Sequence, residues 1–236
     1  MEYSPNLNEL EEQLNIHFKD KKILETAITH SSYANGKKFI KFNERLEFLG
    51  DAVLQLAISE YLFLNYPDEP EGILTKKRSI IVCETSLYEV AKMWNIGKYI
   101  KMSRGEEMTG GRERVSILAD CVEAIIAAFY IDNGYKKVDE FIINNFKGII
   151  EKAVKDEIVL DYKTKLQEVV QQNGEVDIEY ELIKFEGPPH RRKFYTQVSV
   201  DRNVLAKGQG YSKKQSEQDA AYKALENISS NKKIYK

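Results

Sequence analysis

Two apolar stretches decide the fold of this chain: residues 46–58 (LEFLGDAVLQLAI) and residues 117–129 (ILADCVEAIIAAF). A helix that is apolar on almost every side is normally buried. Each stretch nevertheless contains two carboxylates, and neither contains a Lys or Arg that would neutralise them. Because Asp and Glu are rarely buried without a partner, these four acids require an explanation.

The spacing of the acids indicates what that partner is. Glu47 and Asp51 are four residues apart, which places both on one helix face. Asp120 and Glu123 are three apart and share a face in the same way. If the two helices pack together, the carboxylates converge, and such oxygen ligands suit Mg²⁺ or Mn²⁺. The alternative, solvated positions on amphipathic helices, explains one isolated acid better than two pairs.

The composition limits the class of protein. With 236 residues, 42% of them hydrophobic, the chain can form one or two domains with proper cores. No apolar run approaches the roughly 20 residues that span a bilayer, and the first residues do not resemble a signal peptide. Cys83 and Cys121 indicate buried thiols in a reducing, cytoplasmic compartment rather than a disulfide framework or a zinc site.

The net charge of −2 conceals an asymmetry along the chain. Residues 161–236 contain 14 Lys and Arg against 11 Asp and Glu, a net +3. Residues 1–160 contain 21 against 26, a net −5. An acidic first part fits a metal-binding unit, and a mildly basic second part fits a unit that binds a polyanion.

The apolar periodicity changes at the same place. Up to residue 154 it is helical, and no stretch alternates for long enough to predict a strand. The features are predicted N-caps at Asp20 and Asn43, an apolar-periodic stretch over 73–94, a break at Gly110-Gly111 and a helix over 135–154. The sequence therefore predicts an all-α domain over residues 1–154, followed by a charged connector over 155–160.

The remainder shows helix and strand patterns in the order α-β-β-β-α. The predicted elements are a helix over 164–172, strands over 178–183, 194–200 and 204–206, and a last helix over 213–228. Gly187-Pro188-Pro189 is predicted to form a hairpin loop, and Gly208-Gln209-Gly210 to close the third strand. These elements predict a small α+β domain over residues 161–229 and a polar tail over 230–236.

This second part resembles a double-stranded RNA-binding domain over the whole of residues 161–229. Residues 161–168 (DYKTKLQE) are similar to the family's first helix, and Gly187-Pro188-Pro189-His190 to its minor-groove loop. Residues 208–217 (GQGYSKKQSE) are similar to its strand-to-helix junction. Ser216 departs from the family, which usually has Ala there, although a serine on a helix can still pack closely.

The chemistry of four residues agrees with duplex RNA as the partner. Lys213 and Lys214 lie at a predicted helix N-terminus, where free N–H groups and the helix dipole favour a phosphate. Gln167 and His190 are polar and suited to contact 2′-hydroxyls in the minor groove. A lysine pair is commonly only solvated and a Gly-Pro-Pro loop only a turn, but the ordered combination favours RNA binding.

The first part of the chain resembles the ribonuclease III family. Residues 43–52 (NERLEFLGDA) match the family signature, and residues 118–124 (LADCVEA) resemble its second catalytic stretch. Thr29-His30-Ser31-Ser32 and Glu71-Gly72 also fall where that family has comparable residues. The resemblance covers nearly the whole chain and has the domain order of the compact bacterial form.

This resemblance implies an endonuclease for double-stranded RNA. It would act as a homodimer through the catalytic domain, each subunit cutting one strand. It would leave 5′-phosphates and short 3′ overhangs and process ribosomal RNA precursors and structured messenger RNAs. It implies no membrane partner.

The resemblance also implies roles for individual acids, with Mg²⁺ as the cofactor and Mn²⁺ able to substitute. Glu47, Asp120 and Glu123 would be metal ligands. Asp51 and Glu123 would be the catalytic residues on which turnover depends most, with Asp51 orienting the nucleophilic water. The possible accessory residues are Glu44, one turn before Glu47, and Glu71, which is implied by the resemblance alone. For Glu44 a solvated position in the first helical turn is an equal alternative.

The sequence leaves two interpretations open for each of three further residues. Gly50, which costs about 1 kcal/mol in a helix against Ala, either permits close helix packing beside the acids or has no such role. His30 either contacts substrate or, as we favour, is a hydrogen-bonded structural histidine. Phe48 either contributes to the dimer contact, as in the family, or belongs to the core.

Two other functions compete with the endonuclease. A catalytically silent RNA-binding protein of the same fold is expected to have lost carboxylates, and all four are present. A His-Asp phosphohydrolase needs several histidine ligands. This chain has only His17, His30 and His190, and the last belongs to the RNA-binding part.

Overall fold

The computed structural model describes residues 5–37, 39–155, 161–188 and 192–232. The chain divides into two compact units, Met1–Ile158 and Val159–Lys236. The first is helical, and the second combines helices with one antiparallel sheet, so the predicted fold class is confirmed. No helix in the described ranges has the length and apolarity needed to cross a bilayer.

The first unit is built around one central helix. Its helices are α1 Leu7–Leu14, α2 Lys21–Ala27, α3 Ser31–Ala34, α4 Glu44–Asn65, α5 Glu71–Ile81, α6 Glu84–Met93, α7 Arg104–Met108, α8 Val115–Asn133 and α9 Tyr135–Val154. Most of α8 is buried, because it packs against α2, α4, α6 and α9. The two apolar stretches are thus neighbouring core helices, as the sequence predicts.

The two predicted N-cap residues, Asp20 and Asn43, each directly precede a helix, but only Asp20 caps its helix through the side chain. The Asp20 carboxylate accepts from the Lys22 N–H at 2.9 Å and caps α2. Asn43 precedes α4, but its side chain makes no capping hydrogen bond. Its backbone is already in the helical region, and its N–H donates to the Thr29 carbonyl at 2.9 Å. Asn43 therefore anchors the start of α4 through its main chain.

The apolar-periodic stretch over 73–94 consists of two helices separated at Val82 and Cys83. Near the end of α5, the carbonyl of Ile80 accepts hydrogen bonds from side chains instead of from the helix backbone. The Ser86 hydroxyl donates to it at 2.7 Å, and the Cys83 thiol at 3.1 Å. Cys83 is extended, so the chain changes direction there before α6 begins.

The second unit follows the predicted order α-β-β-β-α. Its elements are α10 Tyr162–Val170, a 3₁₀ turn at Gln171–Asn173, β1 Ile178–Glu186, β2 Lys193–Val200, β3 Asn203–Gly210 and α11 Lys213–Lys232. The antiparallel sheet has the order β1-β2-β3. Both helices pack on one another and enclose a core of Leu166, Val198, Ala220, Ala221 and Ala224.

Several boundaries in this unit differ from the sequence prediction. The helix α10 lies two residues earlier, β1 ends three residues later at Glu186, and β2 and β3 each begin one residue earlier. The two largest differences are at the ends of β3 and α11. The third strand does not close at Gly208 but runs through Gly210, and the last helix continues beyond Ile228 to Lys232. A Cβ at Gly208 would lie 2.1 Å from the Ala220 nitrogen of α11. The glycine therefore permits a close approach of helix to strand rather than a turn. Ser216 is fully buried as well, and its hydroxyl lies 2.7 Å from that of Thr196.

Candidate active site and nucleic-acid interface

The candidate active site forms where α4 touches α8. A Cβ added at Gly50 would lie 1.9 Å from the carbonyl oxygen of Glu123. No residue other than glycine fits there without separating the helices. Since Gly50 directly precedes Asp51 and follows Glu47 by less than one turn, the two carboxylate pairs meet at this contact. The close-packing interpretation of Gly50 is confirmed.

The acids influence one another strongly at this contact. Burial raises the pKa of Glu123 to about 8, and the charges of Asp51 and then Glu47 add to the effect. Burial also raises the pKa of Glu47, with the charge of Asp120 as the next cause. Each carboxyl is half-buried and makes no ion pair with a described residue. The acids therefore do not all ionise freely in the absence of a cation.

Two further residues influence Asp120: His30, for which the sequence left two interpretations, and Glu84, which sequence reasoning missed. Burial raises the pKa of Asp120, Glu84 at the start of α6 raises it further, and His30 lowers it. His30 itself caps α3, because its Nδ1 accepts from the Ser32 N–H and lies 2.8 Å from the Ser32 hydroxyl. The structural interpretation of His30 is confirmed, although the ring is close enough to Asp120 to affect its charge.

Asp51 is held by a residue that sequence reasoning missed. The side-chain amide of Gln55 donates to both carboxylate oxygens of Asp51, at 2.8 and 2.9 Å. The only available signal was the spacing, since residues four apart on a helix are neighbours. Gln55 fixes the orientation of the carboxylate without neutralising its charge.

The donor set fits a hard divalent cation. It consists of carboxylate oxygens, which are the ligands that such ions prefer. Within the described ranges, however, no three His, Cys, Asp or Glu side chains are close enough together to hold a metal ion as they stand. Mutual repulsion of carboxylates opposes such closure when no cation compensates it. The arrangement brings the acids near one another but does not form a closed cage.

The two accessory acids lie in different places. Glu44 is exposed at the first position of α4, and its charge contributes to the raised pKa of Glu47. Glu71 begins α5 and accepts from the Thr75 hydroxyl at 2.8 Å. It lines an open groove of about 650 Å³ together with Leu56 and Phe63 of α4. Glu71 is therefore placed in this groove beside α4.

The second unit brings part of the predicted RNA-binding set together. Gln167 of α10 and Lys214 of α11 line one open cavity of about 660 Å³. Lys213 is the exposed first residue of α11, and neither lysine makes an ion pair with a described residue. His190 lies outside the described residues. The helix N-terminus and the α10 side chain thus meet in one surface.

Comparison with protein families assigns both units. Residues 20–149 match the family model described as Ribonuclease-III-like. Residues 162–228 match the model of the double-stranded RNA binding motif. The two matches fall in the two compact units of the chain.

Individual relatives agree over nearly the full length. Ribonuclease 3 of Clostridium kluyveri is 71% identical over 225 residues, covering 95% of this chain and 92% of the relative. Ribonuclease 3 of Clostridium tetani is 63% identical over 227 residues, covering 96% and 97%. The solved nuclease domain of ribonuclease III from Campylobacter jejuni is 43% identical, with a TM-score of 0.57, over 61% of this chain and 97% of that domain.

A helical unit with paired, half-buried carboxylates and a unit with a double-stranded RNA binding motif define an endoribonuclease for duplex RNA. The chain belongs to the ribonuclease III family. It is an enzyme that cleaves double-stranded RNA, and this family is metal-dependent. No finding supports the catalytically silent alternative.

Proposed function

We propose that this chain hydrolyses both strands of A-form RNA as a homodimer, with Mg²⁺ as its cofactor and Mn²⁺ as a substitute. The observation that carries this proposal is the contact of Gly50 with the backbone of Glu123. That contact brings two carboxylate pairs together in a half-buried site, where no described Lys or Arg forms an ion pair with them. Carboxylates in such a site need a hard divalent ion as their partner.

We assign different roles in phosphodiester hydrolysis to the four acids. Divalent cations bound by carboxylates activate water, neutralise the phosphate and stabilise the leaving 3′ oxygen. Glu47, Asp120 and Glu123 are the proposed metal ligands. Asp51, oriented by Gln55, positions the attacking water, and turnover depends most on Asp51 and Glu123. The products are fragments with 5′-phosphates and short 3′ overhangs.

The second unit holds the duplex through its shape. We assign minor-groove contacts to Gln167 and His190, and phosphate contacts to Lys213 and Lys214. The exposure of both lysines at the N-terminus of α11 supports this assignment, since N–H groups and the helix dipole add to their attraction for a phosphate. Shape recognition suits ribosomal RNA precursors and structured messenger RNAs as substrates.

The dimer contact is assigned to one face of α4. Phe48, Leu56 and Phe63 are 82%, 54% and 71% exposed, and their spacing of eight and seven residues places them on one stripe. Phe48 is therefore not part of the core of this chain. An exposed apolar stripe on the helix that carries Glu47 and Asp51 suits a second copy of the chain. The related Campylobacter jejuni nuclease domain also has a region involved in dimer formation.

We propose that the chain consists of a catalytic domain over 1–154, a connector over 155–160, an RNA-binding domain over 161–229 and a tail over 230–236. The boundary between the two compact units, after Ile158, falls inside the proposed connector and supports it. Both cysteines are free thiols, which fits the reducing, cytoplasmic compartment that we propose.

The test is incubation of a long, perfect RNA duplex with the full chain, with and without Mg²⁺ or Mn²⁺. We expect cleavage only with metal, and end analysis showing 5′-phosphates and short 3′ overhangs. A duplex left intact with either metal would refute the proposal. Equal cleavage of single-stranded RNA of the same sequence would refute the assignment of duplex shape as the recognised feature.

A further inference from the structure

Arg192 is a cation that forms no hydrogen bond or ion pair with any residue that the structure describes. Its Nε is buried and makes no hydrogen bond. The two terminal amino groups form no hydrogen bond or ion pair with a described residue either. Unlike Nε, they are not buried without a partner. A buried donor is rarely left unpaired, so another interaction must hold this side chain.

That interaction is a stack on an aromatic ring. The guanidinium carbon of Arg192 lies 4.5 Å from the centroid of Phe185. Phe185 in turn contacts Phe194 at 6.2 Å between ring centroids, and the two residues face each other in the register of β1 and β2. Phe185 is 54% exposed, so the ring serves as a platform at the surface rather than as core. A guanidinium that lies over a ring can still direct its terminal amino groups toward a ligand.

The sheet register shows on which side this stack lies. Phe194 and Thr196 of β2 point to the same face, because side chains alternate along a strand. The Thr196 hydroxyl lies 2.7 Å from that of Ser216 in α11, so this is the face covered by α11. Phe185 pairs with Phe194 and therefore shares it.

The register also shows at which end of the sheet Arg192 lies. Phe194 pairs with Gly210 of β3. Arg192 precedes Phe194 by two residues, and Lys213 follows Gly210 by three, so both leave the sheet at the same end. The stacked guanidinium is thus at the same end and on the same side as the N-terminus of α11.

We propose that Arg192 is a further phosphate ligand for duplex RNA, pre-oriented by the ring of Phe185. The inference rests on the proposed RNA-binding surface around Lys213 and Lys214 and extends it. Charged donors with fork geometry bind phosphate oxygens strongly. Other basic residues of this unit, such as Lys163 and Lys184, are instead paired with carboxylates.

The test compares Arg192→Gln with a charge-matched control, Lys207→Gln, in the full chain. Lys207 is exposed on β3 opposite Gln197, whose position alternates with Thr196, so it lies on the sheet face away from α11. Binding is measured without divalent metal, on two unrelated duplexes and over a series of salt concentrations. Arg192→Gln should weaken binding to both by roughly tenfold. It should also flatten the dependence of log K on log salt by about 0.9.

Two outcomes overturn the inference. One is an unchanged salt slope for Arg192→Gln. The other is an equal flattening in Lys207→Gln, which would reflect net charge alone. The double variant Lys213→Gln/Lys214→Gln separates this failure from that of the proposed RNA surface. A flattened slope there, with none in Arg192→Gln, would leave the surface standing without Arg192.

Substitutions of Phe185 test the platform itself. Phe185→Leu keeps an apolar side chain but removes the ring face, so binding should weaken about two- to fivefold. The salt slope should not change, because Arg192 retains its charge. Phe185→Trp should restore the parent affinity. Equal affinity of the Leu variant and the parent protein would show that the stack does not orient Arg192.

Discussion

Glu123 lies where burial and three neighbouring carboxylates act on the same side chain. Its pKa is raised to about 8, and none of the residues that the structure describes forms an ion pair with its carboxylate. A structural carboxylate would be expected to have a Lys, an Arg or several N–H donors around it, as Glu11 has. This contrast supports the proposal that the acids around Glu123 hold a cation, whereas Glu11 serves the fold.

Replacing Glu123 by Gln should separate chemistry from binding. The substitution keeps the side-chain volume but removes a charge that we propose holds metal, so cleavage of duplex RNA should fall by several orders of magnitude. Gel-shift affinity should remain, because RNA binding rests mainly on the second unit. The control is Glu140→Gln, an exposed acid on α9, which should cleave normally. Loss of affinity in step with activity would indicate damage to the fold instead.

Glu11 should contribute to stability rather than to catalysis. It is 6% exposed, accepts from the Phe18 N–H at 2.7 Å and pairs with Lys21 at 2.7 Å. Burial alone would raise its pKa, but these bonds outweigh burial and lower it below 4.5. Glu11→Gln should reduce the free energy of unfolding by about 1–3 kcal/mol at neutral pH.

The pH dependence of this effect follows from the direction of the shift. A depressed pKa stabilises the folded protein at pH values above the unfolded-state pKa, near 4.5. That contribution disappears as the pH falls from 4.5 through the folded-state pKa. Urea unfolding of parent and Glu11→Gln should therefore differ most at neutral pH and converge in acid. A difference that does not depend on pH would contradict the ionic explanation.

At the scale of elements, the proposed active site depends on how closely α4 and α8 approach each other. Gly50→Ala would improve helix propensity by about 1 kcal/mol, yet its Cβ would lie 1.9 Å from the Glu123 carbonyl oxygen. The helices must separate, so we expect a loss of several kcal/mol in stability and of most activity. Thermal unfolding measures the loss of stability, and a duplex cleavage assay measures the loss of activity.

Gly148 provides the matched control for this prediction. It lies inside α9, and an added Cβ would meet nothing within 4 Å. Gly148→Ala should therefore stabilise the protein by about 0.4–1 kcal/mol and leave cleavage unchanged. If Gly50→Ala behaves like Gly148→Ala, close packing at the carboxylates is not required.

At the scale of the whole molecule, the exposed stripe of α4 predicts a dimer. Phe63→Glu places a charge on that stripe and should convert the dimer to a monomer, which sedimentation velocity detects. Met93→Glu is the control, because Met93 of α6 is 56% exposed outside the stripe. The monomeric Phe63→Glu protein should nick long duplexes in one strand more often than it cuts both strands. A Phe63→Glu protein that remains dimeric would place the contact elsewhere.

The sequence by itself determined the class of this protein. Apolar periodicity predicted the long helices but not the short α1, α3 and α7, and alternation predicted the three strands. The spacing of Glu47, Asp51, Asp120 and Glu123 singled out the acids that we propose as the site. These features are local, since they depend on residues a few positions apart. The end of β3 was predicted wrongly because Gly208 is required by the close packing of α11 against the strand, and not by a turn. That contact joins residues that are not neighbours in the sequence.

Only the tertiary structure decided which groups meet. It placed Gly50 against the Glu123 backbone, brought Glu84 and His30 near Asp120, and stacked Arg192 on Phe185. It also showed Phe48 to be exposed, where the sequence left core and dimer contact open. Such distances result from the packing of separate elements, whose geometry no short pattern in the chain contains.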